Sequence, residues 1–312
     1  MIKRYTTDRA HASIAIILAC VAASAPPGCR PRGGTAHEAT PAATAERAAS
    51  LETETADEAG CETFATTADA FRAVLSRTKG AEVIGFGEYH QTRSAAKAMS
   101  SLRRFTAYVL PQLREAGVSD LVIETWVTAG QCGAPEREVV ADVEETTERP
   151  ASTENEIVSM IRTARAYDIR PHILEMSCDA YGGLFVEGEV DYDRLLKVLT
   201  SLLREKVDQI RAARAKAGAP AAGIAVYGGT MHNDLFPDAE VADYSYAPAL
   251  SEALGGRYLE VDLFVPELIE GDRLLSRQPW YPAYLRRRSP DHALLLERGP
   301  SSYVIVFEQT RR

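Results

Sequence analysis

The sequence is short of several things. It has two tryptophans, and aromatic residues make up 7% of it. It has no surplus of positive charge: 35 Lys and Arg stand against 44 Asp and Glu, for a formal net charge of −9. Nucleic-acid binders normally carry a basic face, so no nucleic-acid partner is expected. Beyond its first segment the chain has no long apolar run, which excludes a polytopic membrane protein. No internal repeat is visible, so the chain does not read as an array. Three of its five cysteines lie beyond the N-terminal segment, Cys61, Cys132 and Cys178, and their spacing fits no zinc motif. What remains is close to the soluble average: 46% hydrophobic and 25% charged over 312 residues, enough to bury one substantial core.

The first residues read as an export signal. A basic start, MIKRYTTDR, precedes an apolar run from Ala12 to Ala25. That run is shorter than the roughly 20 residues a spanning helix needs, and it fits the core of a secretory signal. Cys20, after Ile17-Leu18-Ala19, and Cys29, after Pro27-Gly28, are the two candidate lipidation sites, although Leu18 stands where a smaller residue is usual and prolines precede Cys29. Residues 1–29 are therefore expected to be a signal or lipoprotein segment. In residues 30–60 Leu51 is the only large aliphatic side chain. Such a stretch cannot bury enough surface to offset its ordering entropy, so it reads as a disordered tether. The expectation is an exported protein, periplasmic or held to a membrane by a lipid anchor. In an oxidising compartment two of Cys61, Cys132 and Cys178 would pair, with the pairing left open.

Residues 62–312 alternate strand and helix signals. Short apolar runs at Ala81–Phe86, Asp120–Glu124, Ile169–Met176 and Gly223–Tyr227 predict buried strands. Helical stretches are predicted over Ser94–Ala116, with Pro111 interrupting it, from a Thr153/Glu156 capping box through Tyr167, and over Asp191–Ala217. Tyr258–Val265 alternates apolar and polar residues, so one of its faces is expected to be wetter. His292–Glu297 and Tyr303–Glu308, joined by RGPSS, predict a terminal hairpin. The fold class is α/β: a mostly parallel central sheet, helices on both faces, and a C-terminal β-hairpin.

In such sheets ligands bind beyond the carboxyl ends of the strands. The first predicted strand runs into Gly87-Glu88-Tyr89-His90, the second ends in Glu124, and the third in Glu175. After the fourth comes Gly228-Gly229-Thr230-Met231-His232. Core packing does not call for charged groups at those places. Histidines beside carboxylates suit two chemistries. They can hold a divalent metal such as zinc or manganese, or work as a general acid/base pair. The candidate metal ligands are His90, His232, Glu88 and Glu124, and the candidate catalytic residues are Glu88, His90 and Glu175. His172 sits early in its strand and is expected to face elsewhere. His292, the Arg286–Arg288 cluster and the acidic run Glu136–Glu148 read as solvated surface. Loops 127–152 and 236–250 are expected to line the pocket.

The motifs VIGFGEYHQT (83–92) and AVYGGTMHNDL (225–235) resemble those of the erythromycin esterase/ChaN-like superfamily. That group includes ChaN-type haem-binding lipoproteins and the TraB and Tiki families. The ChaN-like branch is the most similar, through the exported, tethered N-terminus and the short Gly-Glu-x-His. The resemblance spans about residues 80–265 and implies an α/β fold with its site at the strand ends. It implies competing functions. Tiki-like members are metal-dependent proteases, which would draw on Glu88, His90, Glu124 and His232. Erythromycin esterases use the first-motif histidine as a general base, here His90. ChaN-type proteins bind haem through a tyrosine that matches no position here, although Tyr89 and Tyr227 lie near the motifs. Low aromatic content weighs against a haem pocket. The leading expectation is thus a metal-dependent hydrolase of the cell envelope acting on a small molecule or peptide. The alternative is a haem- or iron-binding uptake protein without catalysis.

Overall fold

The structure, a computed structural model, describes residues 60–78, 80–92, 97–128, 150, 152–187, 189–218 and 222–310. The chain divides into two units, Met1–Ala56 and Asp57–Arg312, and every described residue belongs to the second. Cys20, Cys29, the tether and Cys132 lie outside the described residues, as do 129–149 and 151 of the acidic loop.

The second unit runs β1 (Cys61–Phe64), α1 (Thr67–Arg77), β2 (Val83–Glu88), α2 (Ser101–Arg104), a π turn (Phe105–Val109), α3 (Leu110–Leu113) and β3 (Val118–Thr128). It continues with α4 (Thr153–Ala166), β4 (Arg170–Met176), α5 (Cys178–Gly182), a ribbon of β5 (Phe185–Val186) and β6 (Glu189–Val190), and α6 (Tyr192–Ala217). Then come β7 (Gly223–Gly229), α7 (Thr230–Asn233), α8 (Ala247–Ala253), β8 (Tyr258–Phe264), α9 (Pro266–Ile269), α10 (Tyr281–Arg287), β9 (Ala293–Gly299) and β10 (Ser302–Val306).

The sheet order is β1-β9-β10-β8-β2-β7-β3-β4. From β10 to β4 all neighbours are parallel, while β9 pairs antiparallel with both β10 and β1. The α/β class and the terminal hairpin are as the sequence predicts. The strand β1 was not foreseen, because CETF carries no apolar run and its pairing partner, β9, lies far along the chain.

Parallel strands buried on both faces read as near-continuous apolar runs, and β2 is buried at every position. One face of β2, β7 and β3 presents Ile84, Phe86, Ala225, Tyr227, Leu121 and Ile123 to a core that includes Phe71 and Phe105. The other presents Val83, Ile224, Val226 and Val122 to α6 through Leu195, Leu199, Leu203 and Val207. Helix α6 starts where the Asp191 side chain accepts the Arg194 N–H, and it stops at Gly218, whose φ of 61° is left-handed. Among the described residues no helix is long and apolar enough to cross a membrane.

Three local expectations are corrected. The predicted helix 94–116 begins only at Ser101, residues 97–100 being non-helical, and it widens into a π turn in which the Leu110 N–H reaches back to the Phe105 carbonyl. Pro111 follows directly; its ring clashes with the carbonyl four residues back, which displaces the regular ladder. The Thr153/Glu156 capping box does not form: Thr153 Oγ1 donates to the Pro150 carbonyl, and Glu156 accepts from Ser100 Oγ at 2.5 Å. The polar face of β8 is not wet either. Glu260 and Asp262 are buried, with Arg298 reaching both.

Candidate functional site

Register places the site. Glu88, the last residue of β2, pairs with Gly229, the last of β7. Between Ile123 and Trp126 the pairing of β3 with β4 shifts, so Glu124 and Thr125 have no partner in β4. Such irregularities re-aim side chains, and this one turns Glu124 toward β7, where its carboxylate accepts the Gly229 N–H at 2.6 Å.

By strand alternation Glu88 stands on the Phe86 face of the sheet and Glu124 on the opposite, Val122 face. The site therefore straddles the carboxyl edge as two pairs. In the first, His90 Nδ1 lies 2.7 Å from Glu88 Oε1, and Tyr227 Oη donates to Glu88 Oε2 at 2.7 Å. In the second, His232 Nε2 lies 3.5 Å from Glu124 Oε1, and its Nδ1 lies 2.9 Å from both the Tyr244 carbonyl and Thr200 Oγ1.

The two pairs meet at Gly229. A Cβ there would sit 3.1 Å from His90 Nε2 and 3.7 Å from Glu124 Oε2. A Cβ on Gly228 would run into the Glu124 carboxylate and come within 3.1 Å of Glu124 Cβ. The Gly-Gly is required because two side chains from opposite faces approach the backbone where it turns over the edge.

The electrostatics differ between the pairs. Burial pushes the Glu124 carboxyl upward. The charge and hydrogen bond of His232, the charge of His90 and the Gly229 amide outweigh it and bring Glu124 down to about 2. Burial likewise works to lower His232, but Glu124 and the Tyr244 carbonyl raise it above the ordinary value. Glu124 and His232 thus form a buried ion pair. His90 is the accessible member, with 32% of its side chain exposed against 8% for Glu88. A histidine whose Nδ1 side is held by a buried carboxylate has Nε2 as its nitrogen for proton transfer, and here Nε2 faces Gly229.

The four residues expected at the edge, Glu88, His90, Glu124 and His232, come together. Glu175 does not join them. It is exposed on edge strand β4, where it pairs with Val127. His172 lies at the amino end of the sheet, where its Nε2 is 2.6 Å from the buried Asp120, which Arg214 and Ser119 also hold. Sequence reasoning missed Thr200, on α6, whose only signal is its distance in space to His232, whereas Tyr244 belongs to the loop 236–250 expected to line the pocket.

Among the described residues no group of three or more His, Cys, Asp or Glu stands in an arrangement that could hold one metal ion. The carboxylates are each engaged within their own pair, so the four do not form a single ligand set. Cys178, which opens α5 at the same edge, is disulfide-bonded, while Cys61 is a buried free thiol. The partner of Cys178 lies outside the described residues.

No family model and no curated protein matches this sequence. Among solved structures the chain is similar to the type III effector HopBA1, at 12% identity and a TM-score of 0.41. The match covers 77% of this chain and 94% of that one. A likeness at that level carries no argument about function.

Proposed function

We propose that the protein is an exported hydrolase in which His90 acts as general base, oriented by Glu88, on a small-molecule or peptide substrate held over the Gly228-Gly229 turn. The observation that carries this reading is the 2.7 Å contact between His90 Nδ1 and a nearly buried Glu88, on a ring that remains open to solvent. The Glu88 carboxylate fixes the ring through Nδ1, so that Nε2 is the nitrogen that takes a proton from an attacking water or hydroxyl. The Glu124–His232 pair stands across Gly229 and holds the other side of the same edge in place. The resemblance to erythromycin esterases, which use the first-motif histidine in this role, agrees with the assignment. Glu175 has no part in it.

Export is supported by the disulfide at Cys178, since such bonds persist mainly in oxidising compartments. It is supported also by the apolar run before Cys20 and Cys29, either of which would carry a lipid anchor.

The test is an ester and peptide hydrolysis screen on the full chain and on His90→Ala. Turnover should fall on the order of 10²- to 10⁴-fold in the variant, the range for loss of a general base. Equal rates would overturn the proposal. The same samples, exposed to zinc and manganese, are assayed for bound metal. Stoichiometric uptake that vanishes in a His90→Ala/His232→Ala variant would make the hydrolase metal-dependent. A hemin titration tests the uptake reading: a shifted Soret band in a chain that hydrolyses nothing would replace catalysis with haem carriage.

A further inference from the structure

Strand β7 reads GIAVYGG, and its tyrosine is out of keeping with its place. Tyr227 is 3% exposed, pairs in register with Phe86 and Ile123, and stacks its ring 4.5 Å from that of Phe105. Phenylalanine would fill that space equally well. The extra hydroxyl costs free energy in an apolar core unless it is bonded. It is bonded to Glu88 Oε2, on the carboxylate whose other oxygen meets His90 Nδ1.

We infer that Tyr227 is a positioning residue for His90: its hydroxyl pins the Glu88 carboxylate so that the imidazole is held with Nε2 toward Gly229. The inference rests on the reading of His90 as the base. Each oxygen of Glu88 has its own partner, so the carboxylate cannot turn without breaking both contacts. Glu88 is the last residue of β2, with the chain leaving the sheet beyond it. Strand pairing holds its backbone, and the contact from Tyr227 holds its carboxylate. Tyr227 starts two residues below the edge and its length spans that gap. The core thereby supplies the rigidity that a base on a loop lacks.

The test is Tyr227→Phe in the full chain, read first by nitrogen-15 NMR of histidine side chains. The Nδ1–H resonance of His90 is identified by its loss in His90→Ala. In the wild type it should exchange slowly with water. In Tyr227→Phe it should exchange at least ~10-fold faster at an unchanged melting temperature, since the ring packing is kept. Glu88→Gln should give the same acceleration. With a hydrolysed substrate, Tyr227→Phe should lower kcat about 10-fold and leave KM unchanged. An unchanged Nδ1–H in Tyr227→Phe overturns the inference, as does an acceleration that Glu88→Gln fails to reproduce. Faster exchange in a chain that hydrolyses nothing would leave the positioning role intact and remove the hydrolase reading. Hydrolysis through His90 with unchanged exchange would do the reverse.

Discussion

The Glu124 carboxylate accepts the backbone N–H of Gly229 at 2.6 Å, and this bond ties β3 to the turn that delivers His232. It joins the two halves of the site, because His90 Nε2 approaches the same glycine from the other face of the sheet.

Gly229→Ala is the sharpest probe of that meeting point. The backbone there, at φ −67° and ψ 146°, accepts alanine without strain. The new Cβ would stand 3.1 Å from His90 Nε2 and 3.7 Å from Glu124 Oε2, so the imidazole must shift. Hydrolysis should fall at least ~10-fold, since displacements of this size disrupt reacting geometry. The melting temperature should stay within a few degrees, because the ring has solvent to move into. Gly228→Ala meets Glu124 instead and should cost about 1–3 kcal/mol of stability, the usual toll of overpacking. Denaturant titration of both variants checks the contrast, and equal loss of stability would contradict it.

The Glu124–His232 ion pair should leave a signature in stability against pH. Glu124 is held below its ordinary value of 4.5, so its contribution is present above that pH and is lost as pH falls toward about 2. His232 is raised above its ordinary 6.5, so its contribution is complete below that pH and is lost as pH rises through the folded value. The pair therefore stabilises most between the two ordinary values. Removing one partner of a buried pair costs about 3–5 kcal/mol, so Glu124→Gln should show its largest deficit inside that window. Unfolding free energies measured at about pH 3, 5.5 and 8.5 decide it. A deficit independent of pH would mean that the two are not paired.

Asp262 makes the opposite prediction. Burial raises its carboxyl well above the ordinary range, and the neighbouring charge of Glu260 adds to this, against the pull of Arg298. The folded state keeps a proton that the unfolded chain releases above about 3.8, so stability declines as pH rises beyond that value. Asp262→Asn removes the titrating group and keeps its shape. The variant should show a flatter pH profile and exceed the wild type in stability near neutrality. A variant less stable than wild type at every pH would show that the carboxylate is needed in its charged form.

The parallel sheet was legible because most of its strands are continuous apolar runs, and α6 because its leucines repeat at helical spacing up to Gly218. The meeting of Glu88, His90, Glu124 and His232 was legible through one rule: parallel strands deliver the residues at their carboxyl ends to the same edge. That rule also collected Glu175 wrongly, since it takes no account of lateral distance. Glu175 is on β4, with β3 between it and β7. Glu260 and Asp262 were misjudged for a related reason. Alternation marks a polar face, but it does not show the approach of Arg298 on β9 that makes burial of that face tolerable.

By itself, then, the sequence determined the periodicities, the apolar strands and the residue types at their ends, because these depend on neighbours along the chain. Lateral strand order, the irregularity that aims Glu124, and the reach of Tyr227 to Glu88 were decided in three dimensions. The Tyr227–Glu88 contact joins residues 139 positions apart, and no local preference encodes which strand lies beside which.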